Sequence, residues 1–464
     1  MQISIPEEIL DLAEIFEKKK TRLFLVGGFV RSAILHIGRE DDIDLASSMP
    51  PEKVVAMLSK TDFLVRYKNQ KTGILEIEKN GKCFEHATFR SEAYSVAGEH
   101  MPCDVLFHDS LEKDSDRRDF TCNAIYMDVL TRETKDPQKG ILDLKNNRLR
   151  AIGVASALFK NDAERILRMV RIACSCGFDI EHKTYLAAKQ NVFRLKFLSK
   201  ARIQKEVKKM LTSDETYPCL GLRSAHVRAV NMLMDLGADK YIFSQIANTF
   251  EKNPVFSNGQ SVRENAKLLV KNISPQNRLL ALFCHAGIEQ NSRQNLVQKG
   301  YGAFCSEEAA ELAKQFALSQ KEQQLIAMFA QYHENASKDK ISLGEARKIV
   351  LQAKSQAGDL LEFFVAARSA WKKQKFSHTK SEQNLQIAIK QAYKKMFALE
   401  TNQIKLSKKM LEKHFPNLQA HELKKIKQKL LEYGAKKGTI LTEKQNLRLA
   451  RKVAKCFVQT AQNI

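Results

Sequence analysis

Hydrophobic periodicity and proline usage divide this 464-residue chain near residue 150. Before that point, short runs rich in β-branched and aromatic residues alternate with helix-like segments, and five of the nine prolines occur there. The later residues contain only four prolines and repeat apolar residues at i, i+3 and i+4, which is typical of helices. We therefore expect an α+β fold with strands confined to residues 1–150.

Six runs in this first part are predicted to be strands, and KNGK (79–82), with Asn-Gly at its centre, is predicted to be a hairpin turn. The six runs are FLV, IDLA, GILEIE, KCFEHATF, CDVLF and CNAIYMDV. Breaks in the helical part near 211–216, 336–340 and 376–383 suggest further borders. The predicted domains are a head (1–150), a neck (151–212), a body (213–335) and a tail (336–464).

Charge is distributed unevenly along the chain. Residues 1–150 hold 23 Lys and Arg against 26 Asp and Glu, a net charge of −3, so the remaining 314 residues carry +26. Residues 401–464 alone hold 15 basic and 4 acidic side chains. A near-neutral head joined to a basic rear portion fits a catalytic part with a surface for a polyanion, although a lysine-rich face kept for solubility is the alternative.

Cysteine usage and hydropathy predict the cellular compartment in which the protein works. Nine cysteines, an odd number, are scattered through the chain, which favours reduced thiols in the cytoplasm. Cys174 and Cys176 have no partner pair with zinc spacing and are expected to be buried helix residues. No apolar run approaches the ~18 residues of a membrane span, and the acidic N-terminus is unlike a signal peptide, so no membrane partner is expected.

A glycine pair lies between the first predicted strand and a helix-like segment. Gly27 and Gly28 let backbone N–H groups approach a ligand without obstruction by a Cβ. The helix start adds unpaired N–H donors and a positive dipole end, and Arg31 follows one turn later. This combination suits a phosphate, whereas a glycine pair alone is more often simply a turn.

Two aspartates follow in the next predicted strand. Asp42 and Asp44 alternate, so both side chains are expected on one face, while Ile43 and Leu45 point to the core. Paired carboxylates can bind divalent ions for phosphoryl chemistry, or they can merely cap a helix. A phosphate cradle and a metal-binding pair in one short unit together imply a nucleoside triphosphate with Mg²⁺.

The run LVGGFVRSAILHIGREDDIDLAS (25–47) resembles a signature of the class II tRNA nucleotidyltransferase and bacterial poly(A) polymerase family. Four further segments are similar to the family's motifs and occur in family order: DRRDFTCNAIYMD (116–128), KDPQKGILDLKNNRLRAIG (135–153), FKNDAERILRMVRIACSCGFDIE (159–181) and LSKARIQKEVKKML (198–211). The resemblance covers about the first 210 residues. It implies a polymerase β-like nucleotidyltransferase head with a mixed sheet, followed by an all-helical neck, body and tail.

Residue roles follow from the resemblance at matching positions. It implies that Gly28 and Arg31 hold the triphosphate, that Asp42 and Asp44 ligate Mg²⁺, and that Glu85 completes the carboxylate set or helps to deprotonate the attacking 3′-hydroxyl. It also implies nucleotide contacts by Arg118 and Asp119. For Glu85 a solvated strand-edge acid is the alternative.

Base choice can be reasoned from the neck. Asp162, Arg165, Arg168 and Arg171 recur every three residues on a helix expected to begin near Asn161, and they share one face. Asp162 only accepts hydrogen bonds and Arg165 only donates them. Such a pair selects cytosine and adenine, which show an amino donor beside a ring-nitrogen acceptor. The resemblance implies the same role, that of a protein template.

Several positions depart from the family pattern: Ser32 replaces an aspartate, Asn161 and Ala201 replace glutamates, and Ala163 replaces a proline. The region after the paired aspartates also lacks the signature of poly(A) polymerases. The resemblance therefore favours addition of CCA to the 3′ end of tRNA from CTP and ATP, with basic helices of the rear portion holding the acceptor arm. Poly(A) addition, CC-only or A-only addition, and a non-catalytic RNA-binding protein remain open alternatives.

Overall fold

The computed structural model of the protein describes residues 4–37, 43–94, 102–242, 270–281, 318–337, 339–372 and 379–461, together with residues 268 and 316. The chain divides into two compact units, Met1–Ala247 and Asn248–Ile464. Asp42 lies outside the described residues. The four domain borders expected from the sequence stay predictions.

The first unit contains all of the described strands. Its strands are β1 (Phe24–Val26), β2 (Asp44–Ser47), β3 (Leu64–Asn69), β4 (Ile74–Lys79), β5 (Lys82–Thr88), β6 (Arg90–Ala93), β7 (Asp104–Phe107), β8 (Tyr126–Asp128), β9 (Thr134–Lys135), β10 (Arg148–Leu149) and β11 (Asp179–Ile180). Its helices are α1 (Glu7–Glu17), α2 (Gly28–Leu35), α3 (Pro51–Leu58), α4 (Leu111–Asp116), α5 (Gly140–Lys145), α6 (Ala155–Asn161), α7 (Glu164–Cys176), α8 (His182–Asn191), α9 (Lys200–Leu211), α10 (Ser213–Thr216), α11 (Ala225–Leu236) and α12 (Asp239–Ile242).

Seven strands form one sheet in the order β3-β4-β5-β2-β1-β8-β9. The pairing of β2 with β5 is parallel, and the other pairings in this sheet are antiparallel. The sheet is therefore mixed, as the family resemblance implies. Two smaller sheets pair β6 with β7 and β10 with β11.

All six predicted strands are present, and Asn80 and Gly81 form the hairpin between β4 and β5. Both residues have positive φ, 53° and 74°, as a two-residue hairpin turn requires. Five strands were not predicted: β3, β6, β9, β10 and β11. Strand β11 lies beyond residue 150, so the expectation that strands are confined to residues 1–150 was wrong; β11 is two residues long and pairs with β10, which no local pattern indicates. Most of β3 is exposed and charged, with Arg66 and Lys68 along it, so it lacks the alternating apolar pattern on which strand prediction depends.

Side chains alternate across β5, and this alternation separates the core from the opposite face of the sheet. Phe84, His86 and Thr88 are buried, whereas Glu85 between them is partly accessible. On the buried side, Phe16 of α1 packs against the His86 ring at 5.5 Å between centroids. Helix α1 thus covers the face of the sheet opposite Glu85.

The rest of the first unit is helical and is built around α7. Apolar side chains of α7, including Ile166, Leu167 and Val170, are fully buried, and the helix packs against α9 and α11. Cys174 and Cys176 are buried on it, as predicted. Cys174 is a free thiol, as are Cys83, Cys103, Cys122 and Cys219.

The described helices of the second unit are α13 (Gln320–Ser337), α14 (Leu343–Ala353), α15 (Ala357–Lys372), α16 (Lys380–Tyr393), α17 (Lys408–His414), α18 (Ala420–Lys437) and α19 (Glu443–Ala461). Helix α18 buries Leu423, Ile426 and Leu430 in a core with α17 and α19 and exposes lysines such as Lys424 and Lys425 on its other side. The lysine-rich segments near the C-terminus are therefore amphipathic helices with basic faces. Across the described ranges, no helix combines the length and apolarity that crossing a bilayer requires.

Candidate active site

A cleft of about 850 Å³ lies within the first unit, between the exposed face of the sheet and helix α7. Eleven of the twelve residues that were singled out from the sequence line it; the twelfth, Asp42, is outside the described residues. The eleven are Gly27, Gly28, Arg31, Asp44, Glu85, Arg118, Asp119, Asp162, Arg165, Arg168 and Arg171. Residues from three separate motifs, together with Glu85 of β5, therefore meet in one place.

The glycine pair begins helix α2 directly beside a carboxylate. Gly27 has a φ of +79°, and a Cβ added there would lie 2.9 Å from Oδ2 of Asp44. Helix α2 has neither a side-chain cap nor an acidic residue in its first turn. Its first N–H groups consequently remain available to an anion in the cleft.

Arg31 is buried and is held by residues distant in sequence. Its Nη1 donates to Oδ1 of Asn123 at 2.5 Å, and its Nη2 donates to the Tyr217 hydroxyl at 3.0 Å. Ser32, one of the off-pattern residues, lies 3.0 Å from the same hydroxyl. Tyr217 therefore fixes the guanidinium that the sequence analysis assigns to the triphosphate. Asn123 was within reach of sequence reasoning because it belongs to the motif at 116–128, but no local pattern indicates Tyr217.

The two described carboxylates of the catalytic prediction lie side by side. Strands β2 and β5 pair in parallel with Asp44 opposite Glu85, so both side chains are on the cleft face about 5 Å apart across the strands. Ile43 and Leu45 are buried, as expected. The Glu85 carboxylate accepts a hydrogen bond from Nζ of Lys68, which reaches it from β3.

The carboxylate oxygens of this site fit a magnesium ion. Among the described residues no cluster of three or more His, Cys, Asp or Glu side chains is placed to form a complete metal cage. Mg²⁺ prefers oxygen ligands and usually keeps several waters, needing only one or two carboxylates together with substrate phosphates. Asp44, beside the N-terminus of α2, is placed to supply such a carboxylate.

Arg118 is held in the cleft by a buried acid and a tyrosine. Its Nε donates to the Tyr126 hydroxyl at 2.8 Å, and its Nη2 lies 3.1 Å from Oδ2 of Asp114. Burial would raise the pKa of the Asp114 carboxyl, but Arg117 and Arg118 outweigh burial and hold that pKa well below its ordinary value. The Asp114 carboxylate therefore stays ionised, and together with the Tyr126 hydroxyl it holds Arg118 in one orientation in the cleft.

Asp119 connects the head to the basic helix. Its Oδ2 accepts from Arg168 Nε at 2.8 Å, and its Oδ1 accepts from Asn123 Nδ2 at 3.0 Å. Burial would raise the pKa of this carboxyl, but Arg168 and Asn123 outweigh it, so the pKa lies far below its ordinary value. The Asp119–Arg168 pair thus fixes α7 against the sheet at the floor of the cleft.

The expected start of the basic helix was wrong by about three residues. Helix α7 begins at Glu164, and Asp162 lies before it in extended backbone with its Oδ1 accepting the Glu164 N–H at 2.9 Å. Aspartate competes for backbone N–H groups and so favours a position before a helix rather than inside one. Asp162 nevertheless remains next to Arg165, with 3.8 Å between Oδ2 and Nε.

Arg165 is fixed by residues that the sequence analysis did not identify. Its Nη2 donates to the Arg117 carbonyl at 3.0 Å and lies 3.4 Å from the Tyr94 hydroxyl, while the Tyr94 ring centroid is 5.9 Å from its Cζ. The Tyr94 hydroxyl in turn donates to Glu92 at 2.6 Å. The Asp162–Arg165 pair is thus supported from the head side.

Arg171, the last of the basic residues on α7, is held by helix α9. Arg171 donates to Glu206 of α9 at 2.7 Å, and Arg202 of α9 donates to Glu164 at 2.9 Å. Ala201, an off-pattern position, is exposed beside Arg202 and does not take part in these bonds. Asn161, another off-pattern residue, is the last residue of α6.

Two family models match the chain: the poly A polymerase head domain over residues 23–150, and a probable RNA- and SrmB-binding site of polymerase A over residues 177–250. The chain is 37% identical over 211 residues to a CCA-adding enzyme of Streptococcus thermophilus, covering 45% of this chain and 50% of that protein. It is 36% identical over 214 residues to one of Streptococcus pyogenes, covering 45% and 51%. The chain thus spans about half the length of the curated relatives it matches.

Solved structures extend the likeness in fold. The Bacillus stearothermophilus CCA-adding enzyme in complex with CTP aligns with a TM-score of 0.65 at 20% identity, covering 99% of each chain. The Thermotoga maritima CCA-adding enzyme complexed with tRNA aligns with a TM-score of 0.58 at 18% identity, covering 98% of this chain and 96% of that one. At this identity the likeness concerns the fold, whereas the matched models and relatives concern the sequence of the part that holds the cleft. Taken together, the models and relatives show that residues 23–150 and 177–250 are similar in sequence to poly A polymerase domains, and that the chain is similar to CCA-adding enzymes over less than half of its length.

Proposed function

We propose that the protein adds CMP, CMP and AMP in turn to the 3′ end of tRNA, using CTP and ATP. The observation that carries the proposal is the meeting of three groups in one cleft: the N-terminus of α2 with Arg31, the carboxylate of Asp44, and the Asp162–Arg165 pair. The relatives that match 45% of the chain are named CCA-adding enzymes, which supports the same reaction.

The triphosphate is assigned to the glycine side of the cleft. Backbone N–H groups at the start of α2, the Arg31 guanidinium and Arg118 are all donors, and they converge there without an acidic cap on the helix. Tyr217 and Asn123 keep Arg31 in place before the nucleotide arrives. Such preorganisation lowers the cost of orienting the phosphates.

Nucleotidyltransferases of this family generally depend on a metal ion. We assign Mg²⁺ to Asp44 together with Asp42, which lies outside the described residues. A bound Mg²⁺ would neutralise charge on the transferring phosphoryl group. Glu85, beside Asp44, is assigned to the same carboxylate set, where it helps to orient or deprotonate the attacking 3′-hydroxyl.

Base selection is assigned to Asp162 and Arg165. The carboxylate accepts from an exocyclic amino group and the guanidinium donates to a ring nitrogen, which cytosine and adenine satisfy and guanine and uracil do not. Arg165 has its orientation set by the Arg117 carbonyl and Tyr94, so the protein itself acts as the template. Arg168 and Arg171 add positive charge along the same wall.

The RNA is assigned to the basic helices of the rear portion. Helices α17 and α18 carry exposed lysines opposite a buried apolar face. Phosphate contacts by such lysines hold an RNA helix by shape and charge and make binding sensitive to salt. The free thiols among the described cysteines support a reducing compartment, and we propose that this is the cytoplasm.

The test is incorporation of labelled CTP, ATP, GTP and UTP into a tRNA that lacks its CCA end, with and without Mg²⁺. We expect two CMP and one AMP to be added in the presence of Mg²⁺, with GTP and UTP rejected. Asp44→Ala should abolish transfer, whereas Glu78→Ala, which removes a carboxylate of the same sheet outside the cleft, should leave it intact. A long A tail would identify a poly(A) polymerase instead, and RNA binding without any incorporation would identify a non-catalytic binding protein.

A further inference from the structure

The turn between β3 and β4 places a buried threonine in the wall of the cleft. Thr72 is only 5% exposed, yet it lines the cleft together with Asn69. Its Oγ1 has no hydrogen-bond partner within the parts of the chain that the structure describes. A buried hydroxyl that lacks a partner is unfavourable by about 1–3 kcal/mol, so its retention here indicates a partner that binds in the cleft.

The turn is held rigidly, so the position of Thr72 is not accidental. Oδ1 of Asn69 accepts the Thr72 N–H at 3.1 Å, and the Gly73 N–H donates to the Gln70 carbonyl at 3.3 Å. Gly73 has a φ of +63°, and a Cβ there would lie within 2.7 Å of the Phe107 and Pro51 side chains. The turn is therefore packed against β7 and α3, which holds Thr72 in the wall of the cleft.

The order of strands shows which substrate the turn faces. From one edge the sheet runs β3, β4, β5, β2 and β1, so Asp44 on β2 separates the β3–β4 turn from the glycine pair that follows β1. β4 and β2 are two strand spacings apart, about 10 Å. In phosphoryl transfer the attacking oxygen and the leaving group lie in line on opposite sides of the phosphorus. If the triphosphate lies on the α2 side of Asp44, the attacking RNA end must approach from the side of the turn.

We propose that Thr72 binds the 3′-terminal nucleotides of the acceptor RNA, with its hydroxyl bonded to a ribose or phosphate oxygen and with Asn69 holding the turn. This assignment rests on the proposed function for the direction of the triphosphate. It adds an RNA-end contact in the head, distinct from the basic helices of the rear portion. Because the contact is on the opposite side of Asp44 from Arg31, it affects binding of the RNA end and not binding of the nucleotide.

The test measures binding rather than turnover, so that it does not depend on catalysis. The full-length protein and its Thr72→Val and Thr72→Ser variants are titrated with an acceptor-stem minihelix that ends before CCA, and separately with CTP. Valine keeps the shape of threonine and removes the hydroxyl, whereas serine keeps the hydroxyl. Thr131→Val, at an exposed turn outside the cleft, is the matched control.

We expect Thr72→Val to weaken binding of the minihelix by about threefold to tenfold, the size of one hydrogen bond. Thr72→Ser should restore most of the affinity, Thr131→Val should match wild type, and CTP affinity should be unchanged throughout. Unchanged RNA affinity in Thr72→Val, or a loss of CTP affinity in its place, would overturn the assignment. Failure of the proposed function has a different signature, namely that wild-type protein binds the minihelix but incorporates no CMP.

Discussion

Removal of the Tyr217 hydroxyl offers a direct test of how the triphosphate side of the cleft is organised. Tyr217 lies 186 residues from Arg31 in the chain, but its hydroxyl accepts from Arg31 Nη2 and bonds Ser32, each at 3.0 Å. All three side chains are buried. The substitution Tyr217→Phe keeps the ring and its packing and deletes these two bonds.

The magnitude follows from the two bonds that are lost. A hydrogen bond to a charged group contributes about 1.5–3 kcal/mol and a neutral one about 0.5–1.5 kcal/mol. Arg31 keeps its bond to Asn123, and water can replace part of what is lost. We therefore expect Tyr217→Phe to lower the free energy of unfolding by about 2–3 kcal/mol. We also expect CTP binding to weaken by about threefold to tenfold, because the guanidinium is less well oriented.

Chemical denaturation measures the first effect and CTP titration the second. Ser32→Ala and the double variant complete a cycle in which the two losses should not be additive, because both substitutions remove the same Ser32–Tyr217 bond. Tyr185→Phe, on α8 outside the cleft, is the matched control and should behave as wild type. If Tyr217→Phe unfolds and binds CTP exactly as wild type does, Tyr217 does not position Arg31.

Three further predictions concern the sheet. Gly27→Ala forces a side chain into a conformation that favours glycine, with its Cβ 2.9 Å from Asp44 Oδ2. The free energy of unfolding should therefore fall by about 1–3 kcal/mol in a denaturation experiment, and CMP incorporation should fall at least ~10-fold. A fully active variant would contradict the close approach of Gly27 to Asp44. Glu85→Gln should lower kcat about 100-fold. It should change the free energy of unfolding by less than about 1 kcal/mol, because the ion pair between Glu85 and Lys68 is partly exposed. An unchanged kcat would show that Glu85 does not belong to the catalytic carboxylates. Burial lowers the pKa of His86 to about 4, so the folded protein binds fewer protons than the unfolded chain between pH 6.5 and 4. The free energy of unfolding should therefore fall by up to about 3 kcal/mol as the pH drops from 6.5 to 4. His86→Gln should flatten the stability profile over this pH range, and an unchanged profile would assign the loss to other groups.

Local patterns were sufficient for most elements of the head. The strands that hold Asp44 and Glu85 alternate or cluster apolar residues, and the Asn80–Gly81 turn has the only residue types that adopt its dihedrals easily. Strand β3 was missed because pairing with β4, rather than burial, stabilises it. The start of α7 was misplaced because the three-residue spacing of charged residues continues back to Asp162. The Asp162 side chain lies before the helix and accepts a hydrogen bond from the Glu164 N–H at its start.

Fewer residues of the functional site could be predicted from the sequence. Residues that act through their own chemistry, such as Asp44 and Arg165, carry a recognisable local pattern and do line the cleft. Residues that orient them, such as Tyr217 and Tyr94, carry none, because a tyrosine hydroxyl is recognisable as a hydrogen-bond partner only when its partner is next to it. The same holds for the lone hydroxyl of Thr72.

The amino-acid sequence by itself determined the division into a stranded head and a helical remainder, the glycine start of α2, and the spacing of acids and arginines, because these depend on dihedral preferences and periods of two to four residues. The tertiary structure alone decided which of these groups face one another. Arg31 meets Tyr217, Asp119 meets Arg168, and Asp44 lies beside Glu85, across separations of 186, 49 and 41 residues. Such contacts form only when sheet pairing and burial of α7 bring distant segments together, so no local pattern specifies them.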